Sequence, residues 1–221
     1  MGTLYVIATP IGNMEDITNR ALRILSEADL ILCEDTRQTQ KLLDRYGIKK
    51  PVLSYHQHSK LKKVEDIINM LKNDKSLVLV SDAGTPGISD PGNFLISKIV
   101  ENSKDIKIIP IPGPSASISA ASISGFPMDR FSFLGFPPVK KKRNKFFKEI
   151  AELKYPVIFY ESPYRIMKTL AELPKDREIV VCRELTKKFE TVYRGKADEI
   201  VESIGKSGLK GEFVVVMNGT K

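Results

Sequence analysis

The sequence predicts an α/β protein of two domains, the first built on a mostly parallel sheet and the second on a mixed one. Three observations predict it. Short apolar runs alternate with helical periodicities up to Ile111, the connections between them are brief, and after Pro114 the texture changes. Strand–helix alternation of this kind marks a parallel sheet with helices on its faces.

Each element follows from its residues. Leu4–Ala8 reads as a buried strand. Ile17, Ala21, Ile24, Leu25 and Ala28 then recur at the 3.6-residue period of an amphipathic helix. Leu30–Cys33 is the second strand, and a helix over Thr36–Tyr46 follows, with Gly47 suited to the left-handed position past its end. Val52–Ser54 leads to a helix carrying Val64, Ile67, Ile68 and Leu71. Leu77–Val80 leads through a long loop to a helix carrying Leu95, Ile99 and Val100, and Lys107–Ile111 is the fifth strand. Beyond it, Ser115–Ser124 is rich in Ala, Ser and Ile and reads as a closely packed helix. Later strands are Phe131–Gly135, Val157–Tyr160, Ile179–Arg183, Thr191–Arg194 and Phe213–Met217, with helices near Pro163–Leu173 and Ala197–Ile204. The domains are expected to span 1–113 and 114–221.

The 221 residues are 42% hydrophobic and 28% charged, as in soluble globular proteins. No apolar run approaches the ~20 residues that span a bilayer. Cys33 and Cys182 each sit in a strand-like run, which suits buried thiols in the cytoplasm better than a disulfide. Lys and Arg total 35 against 27 Asp and Glu, a net charge of +8. The run Lys140-Lys141-Lys142-Arg143, with Lys145 and Lys148 beyond, stands at the start of a helix, where the dipole disfavours cations. That placement favours a phosphate-contacting patch over a plain solvated face.

The most informative stretch is Ser81–Gly92, with three Gly and two Pro after a buried strand. Ligands of open α/β sheets bind at such carboxyl ends. Thr9–Asn13, Glu34–Arg37 and Pro112–Ala116 follow other strands of the first half; Glu161–Arg165 and Arg183–Lys187 follow strands of the second. A cleft receiving them is a small-molecule site. Nucleotide fingerprints are missing: no G-x-G-x-x-G follows the first strand, and Gly205-Lys206-Ser207 fails as a P-loop because Ile200 stands where a Gly is needed. His56 and His58 have no further ligands at convincing spacing, so no metal is expected.

The succession TPIGN (9–13), EDTR (34–37), HQH (56–58), SDAGTP (81–86), DPG (90–92), PGPSA (112–116), DRF (129–131), FYES (159–162), RELTK (183–187) and KGE (210–212) resembles the ribosomal RNA branch of the tetrapyrrole methylase superfamily, from residue 3 to about 218. The resemblance implies a class III methyltransferase fold with S-adenosylmethionine in an interdomain cleft. It further implies 2′-O-methylation of a decoding-centre cytidine of 16S rRNA in the 30S subunit, by a homodimer. Ser59 stands where the family usually has Asn. Many members carry a further C-terminal helical segment after the last strand.

On that resemblance, Pro10, Gly12, Asp82, Gly84, Thr85, Pro86, Ile88, Gly113, Ser115 and Ala116 are expected to hold the cofactor, with Tyr160, Leu185 and Gly211 from the second domain. Arg37, Lys140, Lys141, Lys142, Arg143, Lys145, Arg165 and Lys187 are expected to contact RNA. Glu34, Asp35, His56, Glu161 and Glu184 are candidates for the base that takes the 2′-hydroxyl proton. For any one carboxylate, a structural ion pair with Arg37, Arg165, Arg183 or Lys187 is the plainer reading, and the base stays unassigned. Two other functions fit the composition: a corrin-pathway methyltransferase, whose anionic substrate would also attract Lys and Arg, and a non-catalytic ribosome-binding module, which would not need the glycine-rich loops.

Overall fold

The computed structural model describes residues 2–56 and 61–220. His58 and Ser59, singled out above, lie outside them. The chain divides into two units, Met1–Ser115 and Ala116–Lys221.

The first unit holds a five-stranded sheet: β1 (Thr3–Ile7), β2 (Leu30–Cys33), β3 (Val52–Ser54), β4 (Ser76–Leu79) and β5 (Lys107–Ile111). Its order is β3-β2-β4-β1-β5, and every pairing is parallel. Four helices connect the strands: α1 (Asn19–Glu27), α2 (Thr36–Arg45), α3 (Leu61–Lys72) and α4 (Asn93–Asn102). The period-2 alternation of strands assigns the faces. Ile31, Cys33 and Val78 pack with Ala21, Leu25, Leu42 and Leu43 of α1 and α2. Leu32, Leu77 and Leu79 pack with Val64, Ile67, Leu71, Leu95 and Ile99 of α3 and α4. Both faces are therefore covered, which is why the strands read as continuous apolar runs.

Three expectations are corrected here. Ile17 closes a 3-10 turn over Met14–Asp16, because the Thr18 hydroxyl accepts from the Ala21 amide and starts α1 one turn later. Val100 is 59% exposed, so α4 buries only Leu95 and Ile99. The first strand is Thr3–Ile7, although the Ala8 amide still bonds the Ile111 carbonyl.

The second unit begins with α5 (Ala116–Ser124) and holds β6 (Ser132–Phe133), α6 (Arg143–Glu152), β7 (Val157–Glu161), α7 (Ile166–Ala171), β8 (Ile179–Arg183), β9 (Thr191–Gly195), α8 (Ala197–Ser207) and β10 (Phe213–Met217). The sheet order is β6-β7-β10-β8-β9. Only β6 and β7 run parallel; the other pairings are antiparallel. Phe159, Val181 and Val215 pack on one face against Phe147, Ile150, Leu170 and Ile200 of α6, α7 and α8. Each such full burial contributes roughly 1.5–3 kcal/mol. α5 buries only Ser117, Ala120, Ala121 and Ser124 on its inner side, small residues that let a helix lie close. Burial pushes the Cys182 thiol up to about 11 and raises that of Cys33 as well. No helix among the described residues is long and apolar enough to cross a membrane.

Candidate functional site

Parallel pairing brings the carboxyl ends of β1, β4 and β5 side by side, and the loops that follow them are fastened together. The Thr9 amide donates to the Gly84 carbonyl and the Gly84 amide to the Thr9 carbonyl, both at 2.9 Å. The Thr9 hydroxyl donates to the Ser81 carbonyl at 3.1 Å. Thr85 Oγ1 lies 3.5 Å from the Pro114 carbonyl. Gly84 adopts φ +79°, a conformation that a side chain would strain. Its backbone groups bond Thr9, so Gly84 ties two loops of the cradle together. Gly113 is needed for a different reason. A Cβ there would come within 3.1 Å of the Ala8 Cβ and 3.2 Å of the Ala8 carbonyl. Bare backbone at exposed Gly12 and Gly113 then borders the cradle, with Pro10, Ser115 and Ala116 half-buried and Ile88 exposed. Such a surface admits a flat ligand to within hydrogen-bonding distance of amides and carbonyls.

Beside it, the loop after β2 meets the loop after β4. The Asp35 amide donates to Asp82 Oδ1 at 3.1 Å. A cleft of about 400 Å³ opens there, bordered by Glu34, Asp35, Arg37, Ser54, His56 and Asp82. Asp35 itself is a helix cap. Its carboxylate accepts from the Arg37 amide at 2.8 Å and is gripped by Arg37 Nε and Nη2 at 3.0 and 2.7 Å. The Arg37 side chain, then its amide, holds the Asp35 carboxyl down at about 2. A carboxylate so engaged is a poor proton acceptor, and it leaves the set of candidate bases. His56 Nε2 lies 2.7 Å from the Ser54 hydroxyl. Among the described residues, no group of three His, Cys, Asp or Glu is placed to hold a metal.

Asp90 escaped the sequence reading. Burial first, then the Glu34 charge, pushes its carboxyl up to about 6; the Ser81 hydroxyl pulls the other way and Asp82 adds to the rise. A half-buried acid pushed up to about 6, within electrostatic reach of Glu34 and Asp82 at the border of the cleft, is a candidate base. The only signal was its place in the DPG motif, because burial of a loop carboxylate is not visible in a sequence.

In the second unit two candidate bases become structural. Glu161 has a fully buried carboxylate. It accepts from the Ser162 amide (2.7 Å), Arg165 Nη2 (2.7 Å) and the Thr169 hydroxyl (2.5 Å). Glu184 accepts from the Glu212 amide and from Lys187 Nζ, both at 2.9 Å. Burial pushes the Glu184 carboxyl up, but the Glu212 amide and the Lys187 ammonium more than offset that, and it titrates below its ordinary value. Gly211, at φ +116°, lies so close to Glu184 that a Cβ would fall 2.5 Å from its Cγ. Tyr160 is half-buried, with its ring against Phe133 and Phe136, and Leu185 is buried.

The cations divide in two. Lys140, Lys141, Lys142 and Lys145 are exposed, and the run lies ahead of α6, with Lys142 in the left-handed conformation at its N-cap. Arg143 is a correction: it is 4% exposed and no phosphate contact. It donates to Glu172 Oε2 (2.8 Å), the Pro138 carbonyl (3.0 Å) and the Thr169 hydroxyl (2.8 Å), and stacks on Phe147. Arg165 is likewise spent on Glu161, Ser162 and the Pro137 carbonyl. Lys187 is clamped between Glu184 and Glu212, whereas Arg37 keeps 86% of its side chain in solvent while holding Asp35.

A family model described as Tetrapyrrole (Corrin/Porphyrin) Methylases matches residues 3–201. A relative from Thermotoga maritima, named ribosomal RNA small subunit methyltransferase I, is 43% identical over 222 residues, covering 99% of each chain. One of the same name from Bacillus subtilis is 45% identical over 228 residues, covering all of this chain and 76% of its own. Among solved structures, diphthine synthase superposes with a TM-score of 0.75 at 16% identity, over 99% of this chain and 90% of its own. The methyltransferase CobJ superposes at 0.70 with 18% identity, over 100% and 95%. At such low identity these two show the fold alone. The sequence relatives and the family match go further and make the chain a methyltransferase whose methyl donor is S-adenosylmethionine. It belongs to the tetrapyrrole methylase family.

Proposed function

We propose that this enzyme methylates a ribose 2′-hydroxyl of small-subunit ribosomal RNA, at a cytidine of the decoding centre. The observation that carries the reading is likeness at 43% identity, over nearly the full length of both chains, to a relative named for that RNA. The cradle formed by the loops after β1, β4 and β5 suits the donor, with Pro10, Gly12, Asp82, Thr85, Pro86, Ile88, Gly113, Ser115 and Ala116 as its holding residues. Tyr160, Leu185 and Gly211 are assigned to the same donor. When bound, S-adenosylmethionine supplies an electrophilic methyl group on a sulfonium sulfur.

The protein's task is then orientation and proton removal. Holding the 2′-oxygen in line with the methyl group meets much of the barrier, since good positioning amounts to roughly 7–11 kcal/mol. The C–O bond forms as the S–C bond breaks, and the hydroxyl proton passes to a base. Glu34, Asp90 and His56 are the groups we assign to that choice, because Asp35, Glu161 and Glu184 are committed to structural partners. Lys140, Lys141, Lys142, Lys145 and Arg37 are assigned to phosphates. We infer further that the enzyme works in the cytoplasm, as a homodimer, on the 30S subunit.

The test offers radiolabelled S-adenosylmethionine with isolated 30S subunits, naked 16S rRNA or a tetrapyrrole. Label on 30S subunits, located at a 2′-oxygen, supports the proposal. Label on the tetrapyrrole alone would replace it with a corrin-pathway reaction.

A further inference from the structure

The strand directions of the second sheet gather particular segments at one edge. β6 and β7 are parallel, in register from Ser132↔Val157 to Phe133↔Ile158, so the segments that follow both emerge together. β10 runs against β7 and β8, so the segment following β8 and the one preceding β10 join them. β9 runs against β8 and brings the residues before Thr191 to the same edge. Those segments carry Phe136, Tyr164 and Phe189, exposed at 52%, 96% and 67%. They also carry Lys140, Lys141, Lys142, Lys188 and Lys210, all exposed. Lys188 Nζ stands 5.6 Å from the centre of the Phe189 ring. A single exposed aromatic is ordinary. Three on one edge, interleaved with cations, match the composition that binds unpaired nucleic acid, where rings stack on bases and ammonium groups meet phosphates.

The edge is also braced from beneath. Arg165, next to Tyr164, ties to the buried Glu161 carboxylate and donates to the Pro137 carbonyl at 3.1 Å. Arg143 donates to the neighbouring Pro138 carbonyl and reaches the same Glu161 through Thr169. One buried carboxylate thus fixes both the Tyr164 loop and the turn that leads to the lysines. A surface held in place before binding loses less freedom on binding.

We propose that this edge is a stacking platform for an unpaired stretch of RNA, with Tyr164 and Phe189 each taking a base and the lysines taking phosphates. The inference rests on the RNA reading above and narrows the substrate to RNA whose bases are unstacked, because paired A-form RNA hides its base faces.

Fluorescence anisotropy with a labelled single-stranded RNA oligonucleotide tests it, with the same strand annealed to its complement as comparison. Tyr164→Ala and Phe189→Ala should each weaken single-strand binding roughly tenfold. Tyr164→Trp should bind like the parent. Tyr155→Ala, at the opposite edge of the sheet, should change nothing. The salt slope should be unaltered in the alanine variants, since stacking releases no counterions, and S-adenosylmethionine affinity should stay at the parent value. Parent-like RNA binding by Tyr164→Ala and Phe189→Ala would overturn the platform while leaving RNA methylation standing, as would equal weakening on the duplex. Loss of dimer mass by these variants, with RNA affinity kept, would overturn it too and give the edge to a second copy of the chain. A parent protein that neither binds nor methylates RNA would overturn both readings.

Discussion

Thr9 and Gly84 exchange both of their backbone hydrogen bonds, and this pair fastens the first loop of the cradle to the fourth-strand loop. Gly84→Ala isolates the backbone strain, because the nearest atom to a new Cβ is Ile11 Cγ2 at 3.5 Å, an ordinary contact. At φ +79° the alanine should cost about 1–2 kcal/mol. Gly84→Val should cost more and separate the loops. Calorimetry should then find S-adenosylmethionine binding weakened by the alanine and abolished by the valine. Binding in the parent should survive a metal chelator.

Asp90 gives stability a pH dependence whose sign is fixed. Its folded value, about 6, lies above the unfolded one, so the protonated acid favours the fold. That contribution is complete below about pH 4 and is lost as pH rises through 6. Asp90→Asn should therefore raise stability at pH 7.5 by at most roughly 3 kcal/mol and change little at pH 4. Thermal denaturation at the two pH values checks this. If Asp90 is the base, the same variant loses methyl transfer despite its added stability.

Arg143 and the lysines before it should part company under mutation. Arg143→Met breaks a buried pair and should lower stability by roughly 3 kcal/mol. Replacing Lys140, Lys141 and Lys142 together by Gln should leave stability near the parent value. It should also reduce the slope of log affinity for single-stranded RNA against log salt by about two units. Denaturant titration and anisotropy at several salt concentrations separate the two.

A homodimer should give a light-scattering mass of about twice the 24.8 kDa of one chain. Cyclic pairs are the commonest oligomers. A monomer fully active on free cytidine would contradict both the dimer and the structured target.

Much of the fold was legible because both faces of the first sheet are covered, so runs such as Leu30–Cys33 stand out without alternation. Gly47 was legible for a conformational reason, and it takes φ +66° just past α2. Boundaries were less so. Of Phe131–Gly135 the regular strand is Ser132–Phe133, although the Leu134 amide still donates to the Ile158 carbonyl and the Tyr160 amide to the Gly135 carbonyl. The cradle loops announced themselves through Gly and Pro. The ion pairs of Asp35, Glu161 and Glu184 with Arg37, Arg165 and Lys187 were legible as well, but the burial of Arg143 was not. Arg143 looked like its three lysine neighbours, and partners as distant as Thr169 and Glu172, 26 and 29 residues away, hold it out of solvent. Glu161 has its partners Ser162, Arg165 and Thr169 close by in the sequence, whereas Asp90 is set apart by burial and by the charge of Glu34, which the fold brings to it.

The two cysteines, Cys33 and Cys182, are both wholly buried, with thiols that resist ionisation. Thiolates, not thiols, react with maleimides and iodoacetamides. The native protein therefore offers a chemically silent background. A single cysteine introduced at exposed Asn144, beside the lysine run, would be the one site to take up a dye or crosslinker. The basic edge can then be mapped on its RNA in the unaltered fold, without first stripping the natural cysteines from the core.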